Sequence, residues 1–151
     1  MFRVVVEFIN LFLAGLLAGT EFVVRYGVRG PLAALNDRAH IELRLGLIRT
    51  LRVLVPALAL PALITGVAAV ILDPAALRWA GVAALLLWLL VTIFGTVPIN
   101  AAAIAWRPDA PPSNWKALVD RWETLNTVRT WAAVLAFASL LTAVALPLAQ
   151  K

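Results

Sequence analysis

The sequence predicts an all-α fold: an integral membrane four-helix bundle with up-down topology, in which helices 2 and 4 extend on the cytoplasmic side. Hydrophobic residues make up 63% of its 151 residues and charged residues only 14%, so the chain is far more apolar than a soluble domain. The apolar residues form four long runs, each near the roughly 20 residues that cross the hydrocarbon core of a bilayer. Because no internal repeat or low-complexity tail divides the sequence, we expect residues 1–151 to form one domain.

The first half of the chain contains two predicted spans. The first covers about residues 2–24 and ends at RYGVRGP, whose glycines and proline are expected to break the helix. A charged but helical stretch then leads into the second span, about residues 53–72. This span contains Pro56 and Pro61, which a bundle tolerates because neighbouring helices can satisfy the freed carbonyl groups.

The second half contains two more spans, joined by a polar connector. The third span covers about residues 76–105, with a bend expected at Pro98. The connector RPDAPPSN is rigid because it is rich in proline. A long fourth helix follows it, and its apolar part forms the fourth span at about residues 130–148.

The basic residues predict the orientation of the bundle. Cytoplasmic ends of spans carry an excess of lysine and arginine, and one side of the predicted bundle holds ten such residues: Arg25, Arg29, Arg38, Arg44, Arg49, Arg52, Arg107, Lys116, Arg121 and Arg129. The other side holds only Arg3, Arg78 and Lys151. We therefore expect both long connections in the cytoplasm and both termini outside.

Polar residues share one face on each predicted helix. A helix advances about 100° per residue, which makes this pattern testable from the numbering. The four stripes are Arg3, Glu7, Asn10, Glu21 and Arg25 on helix 1; Arg38, Glu42, Arg49 and Arg52 on helix 2; Thr92, Thr96 and Asn100 on helix 3; and Trp115, Trp122, Asn126 and Arg129 on helix 4.

The free-energy cost of placing a charge in lipid predicts which way these stripes face. A charged side chain at the centre of the bilayer costs about 2.5–3.5 kcal/mol on insertion scales. The stripes are therefore expected to turn inward, where Glu21 can meet Arg49, Arg52 or Arg129. The result is a predicted polar pocket in the cytoplasmic half of the bundle.

Amide and indole groups are expected to complete this pocket. Asn100 and Asn126 each offer two hydrogen-bond donors and an acceptor, and Trp122 is expected to form a wall. The alternative is that flanking arginines reach headgroups or water, which we expect for Arg38, Arg44, Arg107, Lys116 and Arg121. An interior ion pair can also serve only to fix helix packing.

Composition also limits the chemistry of the pocket. The chain has no cysteine and one histidine, His40, which we expect at the surface. Tight binding of a transition metal requires several imidazole, thiolate or carboxylate ligands, so we expect no metal and no other cofactor. A site made of Arg, Asn, Glu and Trp suits the binding and polarisation of an oxygen-rich aromatic anion.

Two segments in the second half resemble a known family. VPINAAAIAW and the following PDAPPSNWKALVDRWETLNTVRT are similar to the DUF1772 family of small membrane proteins, also called anthrone oxygenase-like. In that pattern V-P-x-N and a tryptophan precede a helix of the form W-x(6)-W-x(3)-H-x(2)-R. The matching positions are Val97, Pro98, Asn100, Trp106, Trp115, Trp122, Asn126 and Arg129, and AGTEF at residues 18–22 also resembles the first span of the family.

The resemblance implies an oxygenation of anthrones to anthraquinones without a metal or flavin. Such a substrate is deprotonated to an enolate, which reacts with dioxygen itself. By this analogy Glu21 and Arg129 are the catalytic candidates, as base and cationic partner. Arg49, Asn100, Trp122 and Asn126 are the substrate-binding candidates. Asn126 stands where many members have histidine, and an asparagine cannot take up a proton near neutral pH.

These observations predict a membrane protein that binds, and as an enzyme oxygenates, an apolar, oxygen-bearing, anthrone-like molecule. We expect membrane lipid and a hydrophobic small molecule as partners, no nucleic acid, and the plasma (inner) membrane of a bacterium. The alternative is a non-catalytic bundle or partner subunit whose polar cluster only fixes helix packing. Gly15 and Gly19 have the small-xxx-small spacing of close helix contacts, which fits packing within the bundle or, as the alternative, a homo-oligomer.

Overall fold

The computed structural model describes residues 1–149, and the side chains of residues 1–147. It contains four long helices: α1 (Phe2–Ala33), α2 (Asp37–Leu72), α3 (Ala76–Ile104) and α4 (Trp115–Ala149). Each is long and apolar enough to cross a membrane, and the part of the chain described here contains no β-strand. The predicted fold class, an all-α membrane four-helix bundle, is confirmed.

The two ends of the bundle carry different connections. A short turn joins α2 to α3 at one end, where it meets the start of α1. Residues 34–36 and 105–114 join the other helices at the opposite end, which we call the arginine-rich end. Lys151, which the sequence predicts on the same side as Arg3 and Arg78, lies outside the described residues.

Helix α1 does not end where its sequence predicts. It is α-helical over Phe2–Phe22, π-helical over Val23–Val28 and again α-helical over Arg29–Ala33. The predicted break at RYGVRGP is therefore wrong. A glycine ends a helix by adopting a positive φ, and no glycine in this structure does so.

Helix α3 contains a similar irregularity at its predicted bend. The π-helical turn Thr92–Thr96 lies directly before Pro98, and the α-helix resumes at Val97. A proline is well accommodated in the first turn of a helix, where its missing N–H is not needed. Such π-helical turns are frequent at functional sites, and both Thr92 and Thr96 line the cavity described below.

Helix α2 is continuous through both of its prolines, but it faces the bundle differently from the prediction. Its buried face is an apolar stripe of Ile41, Leu45, Ile48, Val55, Ala59, Ala62 and Ala69. The predicted inward stripe is wrong for most of this helix: Arg38, Glu42 and Arg49 are exposed and do not line the cavity described below. Arg52 is exposed as well, but it does line that cavity. Aliphatic side chains gain most from burial, whereas arginines near a helix end can reach water or headgroups.

The bundle contains two apolar cores, which lie at different distances from the arginine-rich end. One contains Leu17, Leu85, Trp88 and several alanines, whose small size lets the helices approach closely. The other lies nearer the arginine-rich end and contains Ile41, Leu45, Ile48, Ala103, Trp106, Trp115 and Val119. Residues of both cores line a single cavity between them.

A neutral ion network holds the opposite end of the bundle together. Arg78 Nη2 donates to Glu7 Oε1 at 2.5 Å, and Arg78 Nη1 donates to Asp73 Oδ2 at 2.7 Å. Arg3 contacts the same two carboxylates, at 3.1 Å and 2.8 Å. Two arginines and two carboxylates thus satisfy one another, and the polar stripe of α1 does face the neighbouring helices here.

Of the glycines, Gly81 on α3 has the least space for a side chain, which gives a stability prediction. A Cβ atom at Gly81 would lie 2.6 Å from Leu140 Cγ and 3.3 Å from the carbonyl oxygen of Ala136. We expect Gly81→Ala to lower the free energy of unfolding by about 1–3 kcal/mol, as overpacked cores do, measured by thermal unfolding in detergent. Gly19→Ala is the control, because a Cβ there meets nothing within 4 Å. Equal stability of the two variants would contradict the predicted contact.

Candidate functional site

All four helices line one cavity of about 280 Å³ in the arginine-rich half of the bundle. Helix α1 contributes Glu21, and α2 contributes Arg44. Helices α3 and α4 contribute Asn100, Asn126 and Arg129 among other residues. Apolar side chains, chiefly valine, leucine, isoleucine and tryptophan, form most of the remaining wall. A mainly apolar cavity with a few convergent polar groups is the usual form of a small-molecule site.

A buried ion pair lies at the deep end of the cavity. Arg129 Nη2 donates to Glu21 Oε1 at 2.5 Å, and these residues are 6% and 2% exposed. Arg129 Nη1 donates to Thr96 Oγ1 at 3.2 Å, and the guanidinium carbon lies 4.9 Å from the centre of the Trp88 ring. The Thr130 hydroxyl lies 3.3 Å from the backbone oxygen of Glu21. The pair therefore joins α1, α3 and α4, and it holds one negative and one positive group in fixed positions.

Several buried polar atoms beside this pair have no hydrogen-bond partner. Asn126 is 1% exposed, yet neither its Nδ2 nor its Oδ1 has a partner among the described residues. Within the same part of the chain, Asn100 Oδ1, Trp122 Nε1 and Arg129 Nε are also unpartnered. All four residues line the cavity. A buried donor or acceptor without a partner costs about 1–3 kcal/mol, so these atoms mark the polar surface that the cavity offers.

An arginine cluster lies at the arginine-rich end of the cavity, where Arg25, Arg29 and Arg44 surround Glu123 and all but Arg25 line the cavity. Arg44 Nη2 donates to Glu123 Oε1 at 3.3 Å, and the Arg44 guanidinium carbon lies 4.9 Å from the centre of the Trp122 ring. Arg29 Nε and Arg25 Nη1 lie 3.4 Å and 3.8 Å from Glu123 Oε2. Three guanidinium groups thus share one carboxylate.

The structure brings five of the six predicted site residues to this cavity: Glu21, Asn100, Trp122, Asn126 and Arg129. Arg49, predicted to bind substrate, is exposed and is not among the lining residues. Arg44, predicted to lie at the surface, is buried there instead. The apolar spacing of Ile41, Leu45 and Ile48 could have identified Arg44, because it places residue 44 on the same face of α2.

His40 also differs from its predicted surface position. It is buried, and its ring lies 5.3 Å from that of Trp115 in an edge-to-face arrangement. It lines a second cavity nearer the arginine-rich end, not the one with Glu21. Nowhere in residues 1–149 do three His, Asp or Glu side chains come together in a way that could hold a metal ion.

Comparison with known proteins agrees with the resemblance carried by the VPIN motif. A family model described as anthrone oxygenase matches residues 46–139, more than half of the chain. The match includes the cavity residues of α3 and α4 and begins after Glu21 and Arg44. No curated protein and no solved structure matches the chain. The chain is an integral membrane protein with four apolar helices, and it belongs to the anthrone oxygenase family.

Proposed function

We propose that the protein binds an apolar, oxygen-bearing aromatic molecule in this cavity and oxygenates it by an anthrone-type reaction. The observation that carries the proposal is Asn126, whose buried amide has no partner at either end within the described chain. An amide in this state is costly unless a ligand meets it. Because the amide offers both donors and an acceptor, it suits a molecule with both hydroxyl and carbonyl groups.

The other unpartnered atoms support the same kind of ligand. Asn100 Oδ1 is an acceptor and Trp122 Nε1 is a donor, and both belong to the same cavity wall. The aliphatic part of the wall includes Leu51 and Val55. A flat aromatic body would contact these apolar side chains, while its oxygen atoms meet the amides and the indole.

The proposed reaction needs no oxidant other than dioxygen, and the protein supplies the base. A base removes a proton from the CH₂ carbon opposite the carbonyl group, which leaves an enolate. The enolate carbon bonds to dioxygen and becomes a hydroperoxide after protonation. Loss of water then breaks the O–O bond and forms the second carbonyl group. One anthrone and one O₂ thus give one anthraquinone and one water.

The side chains have distinct proposed roles in this sequence. Glu21 accepts the proton, and its contact with Arg129 fixes the position of its carboxyl group in the cavity wall. Thr96 fixes the position of Arg129. Asn126 donates to the oxygen on which negative charge develops, which is the most effective kind of electrostatic stabilisation, and Asn100 Oδ1 accepts from a hydroxyl group of the substrate. Arg49 has no role in this proposal because it lies outside the cavity.

An oxygen-uptake measurement tests the proposed function. Protein in phosphatidylcholine nanodiscs is mixed with anthrone under air, and empty nanodiscs report the spontaneous oxidation. We expect faster O₂ uptake with the protein, with anthraquinone formed in a 1:1 ratio to O₂ consumed. If the rates are equal and anthrone causes no saturable quenching of tryptophan fluorescence, the proposal is wrong.

The alternative function is a bundle in which the polar cluster only fixes helix packing. One observation favours this alternative: Glu21, Arg129 and Thr96 join α1, α3 and α4 through hydrogen bonds. The unpartnered amides do not, because a packing device gains nothing from polar groups that form no hydrogen bond to another helix. The variants in the Discussion separate the two functions.

We also propose that the arginine-rich end faces the cytoplasm of a bacterium and that the protein lies in its plasma membrane. The excess of arginine at this end supports that orientation. Because the chain contains no cysteine, a single Asp109→Cys substitution would report it with a membrane-impermeant maleimide. We expect labelling only after the cells are permeabilised, with Ala75→Cys as the control that is labelled in intact cells. The reverse pattern would invert the orientation.

A further inference from the structure

The arginine cluster carries more positive charge than its single carboxylate can balance. Arg25, Arg29 and Arg44 all contact Glu123, and their distances to its oxygen atoms range from 3.3 to 3.8 Å. Glu123 is itself largely buried. One negative charge therefore faces three positive charges, which leaves an excess of two.

Arg44 is the member of this cluster that faces the cavity from a buried position. It is 5% exposed and lines the cavity. Its Nε atom is buried and has no hydrogen-bond partner in the described part of the chain. A buried charge needs an opposite charge and hydrogen bonds to offset its lost hydration, and Glu123 meets only one of its nitrogen atoms at hydrogen-bond distance.

The charges that line the cavity show the same imbalance. They are four arginines and two glutamates: Arg29, Arg44, Arg52, Arg129, Glu21 and Glu123. Glu21 is committed to Arg129 at the deep end. The excess positive charge therefore lies toward the arginine-rich end, on the side of Arg44.

We propose that the natural ligand carries an acidic oxygen group, a carboxylate on an apolar aromatic body, which Arg44 binds at this end of the cavity. This inference rests on the proposed function, and it adds the charge of the ligand and the direction in which it binds. Arginine suits the task because its planar fork can donate two parallel hydrogen bonds to a carboxylate.

The spacing along α4 fits such a ligand. Glu123, which contacts Arg44, and Arg129, which contacts Glu21, are six residues apart. Six residues of helix span about 9 Å, which is close to the long dimension of three fused six-membered rings. A tricyclic acid can therefore extend from Arg44, which binds its carboxylate, toward the Glu21–Arg129 pair.

A pair of fluorescent probes tests this inference. Anthracene-2-carboxylate and its methyl ester have the same ring system and differ in charge. Each is added to protein in phosphatidylcholine nanodiscs, and binding is followed by energy transfer from tryptophan to anthracene. We expect Arg44→Gln to weaken the acid about tenfold or more, as the loss of a charged hydrogen bond does, and to leave ester binding unchanged.

The matched control is Arg38→Gln, on the same helix but exposed and outside the cavity. Comparing each ligand across variants cancels its partition into the lipid. Retained binding of the ester shows that Arg44→Gln is folded. If the ester binds but the ratio of acid to ester affinity is the same in wild type and Arg44→Gln, this inference fails and the proposed function stands. If neither probe binds to the wild type, both fail.

A further arm identifies the source of the acidic group. Phosphatidic acid replaces part of the phosphatidylcholine in the nanodiscs, and the two probes are measured again. If it removes the preference for the acid in wild type but changes nothing in Arg44→Gln, the acidic site is supported and its ligand is a lipid phosphate. If it leaves the preference intact, the aromatic carboxylate is supported.

Discussion

Replacing Arg129 with alanine is expected to lower the free energy of unfolding by about 3–5 kcal/mol, the usual cost of breaking a buried ion pair. The substitution removes the hydrogen bond to Glu21, which is 2% exposed, and leaves that carboxylate without its charged partner. It also removes the contact with Thr96 and the cation above Trp88. A titration with SDS in mixed micelles, followed by far-UV circular dichroism, measures the loss.

Two further variants show whether the unpaired charge causes this effect. Arg121→Ala is the control on the same helix, because Arg121 is exposed, and we expect a change within about 0.5 kcal/mol. The double variant Glu21→Gln with Arg129→Ala should recover much of the loss, since no buried charge is left unpaired. An Arg129→Ala protein as stable as Arg121→Ala would contradict the buried pair.

The same variants separate catalysis from packing. If the pair only holds the helices, the double variant should behave as wild type in every measurement once its stability is recovered. If Glu21 is the base, the double variant should be stable and should still show no oxidation of anthrone above empty nanodiscs.

Asn126→Leu is expected to have the opposite pattern, with stability retained and function lost. Leucine has a similar size and removes two unpartnered polar ends from a position that is 1% exposed. We expect the free energy of unfolding to stay the same or to rise by about 1–3 kcal/mol. Anthrone affinity or turnover should fall about tenfold or more, because the ligand loses its hydrogen bonds.

Asn10→Leu provides a matched control for this experiment. Asn10 is also a buried asparagine, but its Nδ2 donates to the carbonyl of Ala62 at 2.7 Å and lies 3.1 Å from Thr65 Oγ1. Its replacement should therefore destabilise the bundle and leave anthrone binding unchanged. If Asn126→Leu destabilises as Asn10→Leu does, the amide of Asn126 serves packing and the proposed site loses its main support.

Asn126→His tests the departure from the family pattern. A histidine at this position lines the same cavity and can exchange a proton near neutral pH. We expect turnover of anthrone to rise about tenfold or more, since a positioned acid or base contributes roughly 10²–10⁴-fold. Turnover no higher than that of wild type would show that the reaction does not use a proton acceptor at position 126.

The sequence by itself determined the number of helices, their length and the residues that share a face on three of them. Hydropathy is a local property, so four apolar runs predict four spanning helices without knowledge of their packing. The stripes containing Glu21, Asn100 and Arg129 were visible in the same way, because helical spacing fixes which residues share a face. The segments that resemble the anthrone oxygenase family were equally readable along the chain.

Only the tertiary structure decided which face of α2 turns inward and which arginine meets Glu21. Helix α2 carries two competing faces, one with Arg49 and Arg52 and one with Ile41 and Ile48 around Arg44. Periodicity predicts both faces but does not rank them. The aliphatic face packs mainly against α1 and also against α3, because its burial is favourable, while charges near the end of a helix can reach water. That rotation brings Arg44 to the cavity in place of Arg49, and Arg129 on α4 is left as the partner of Glu21.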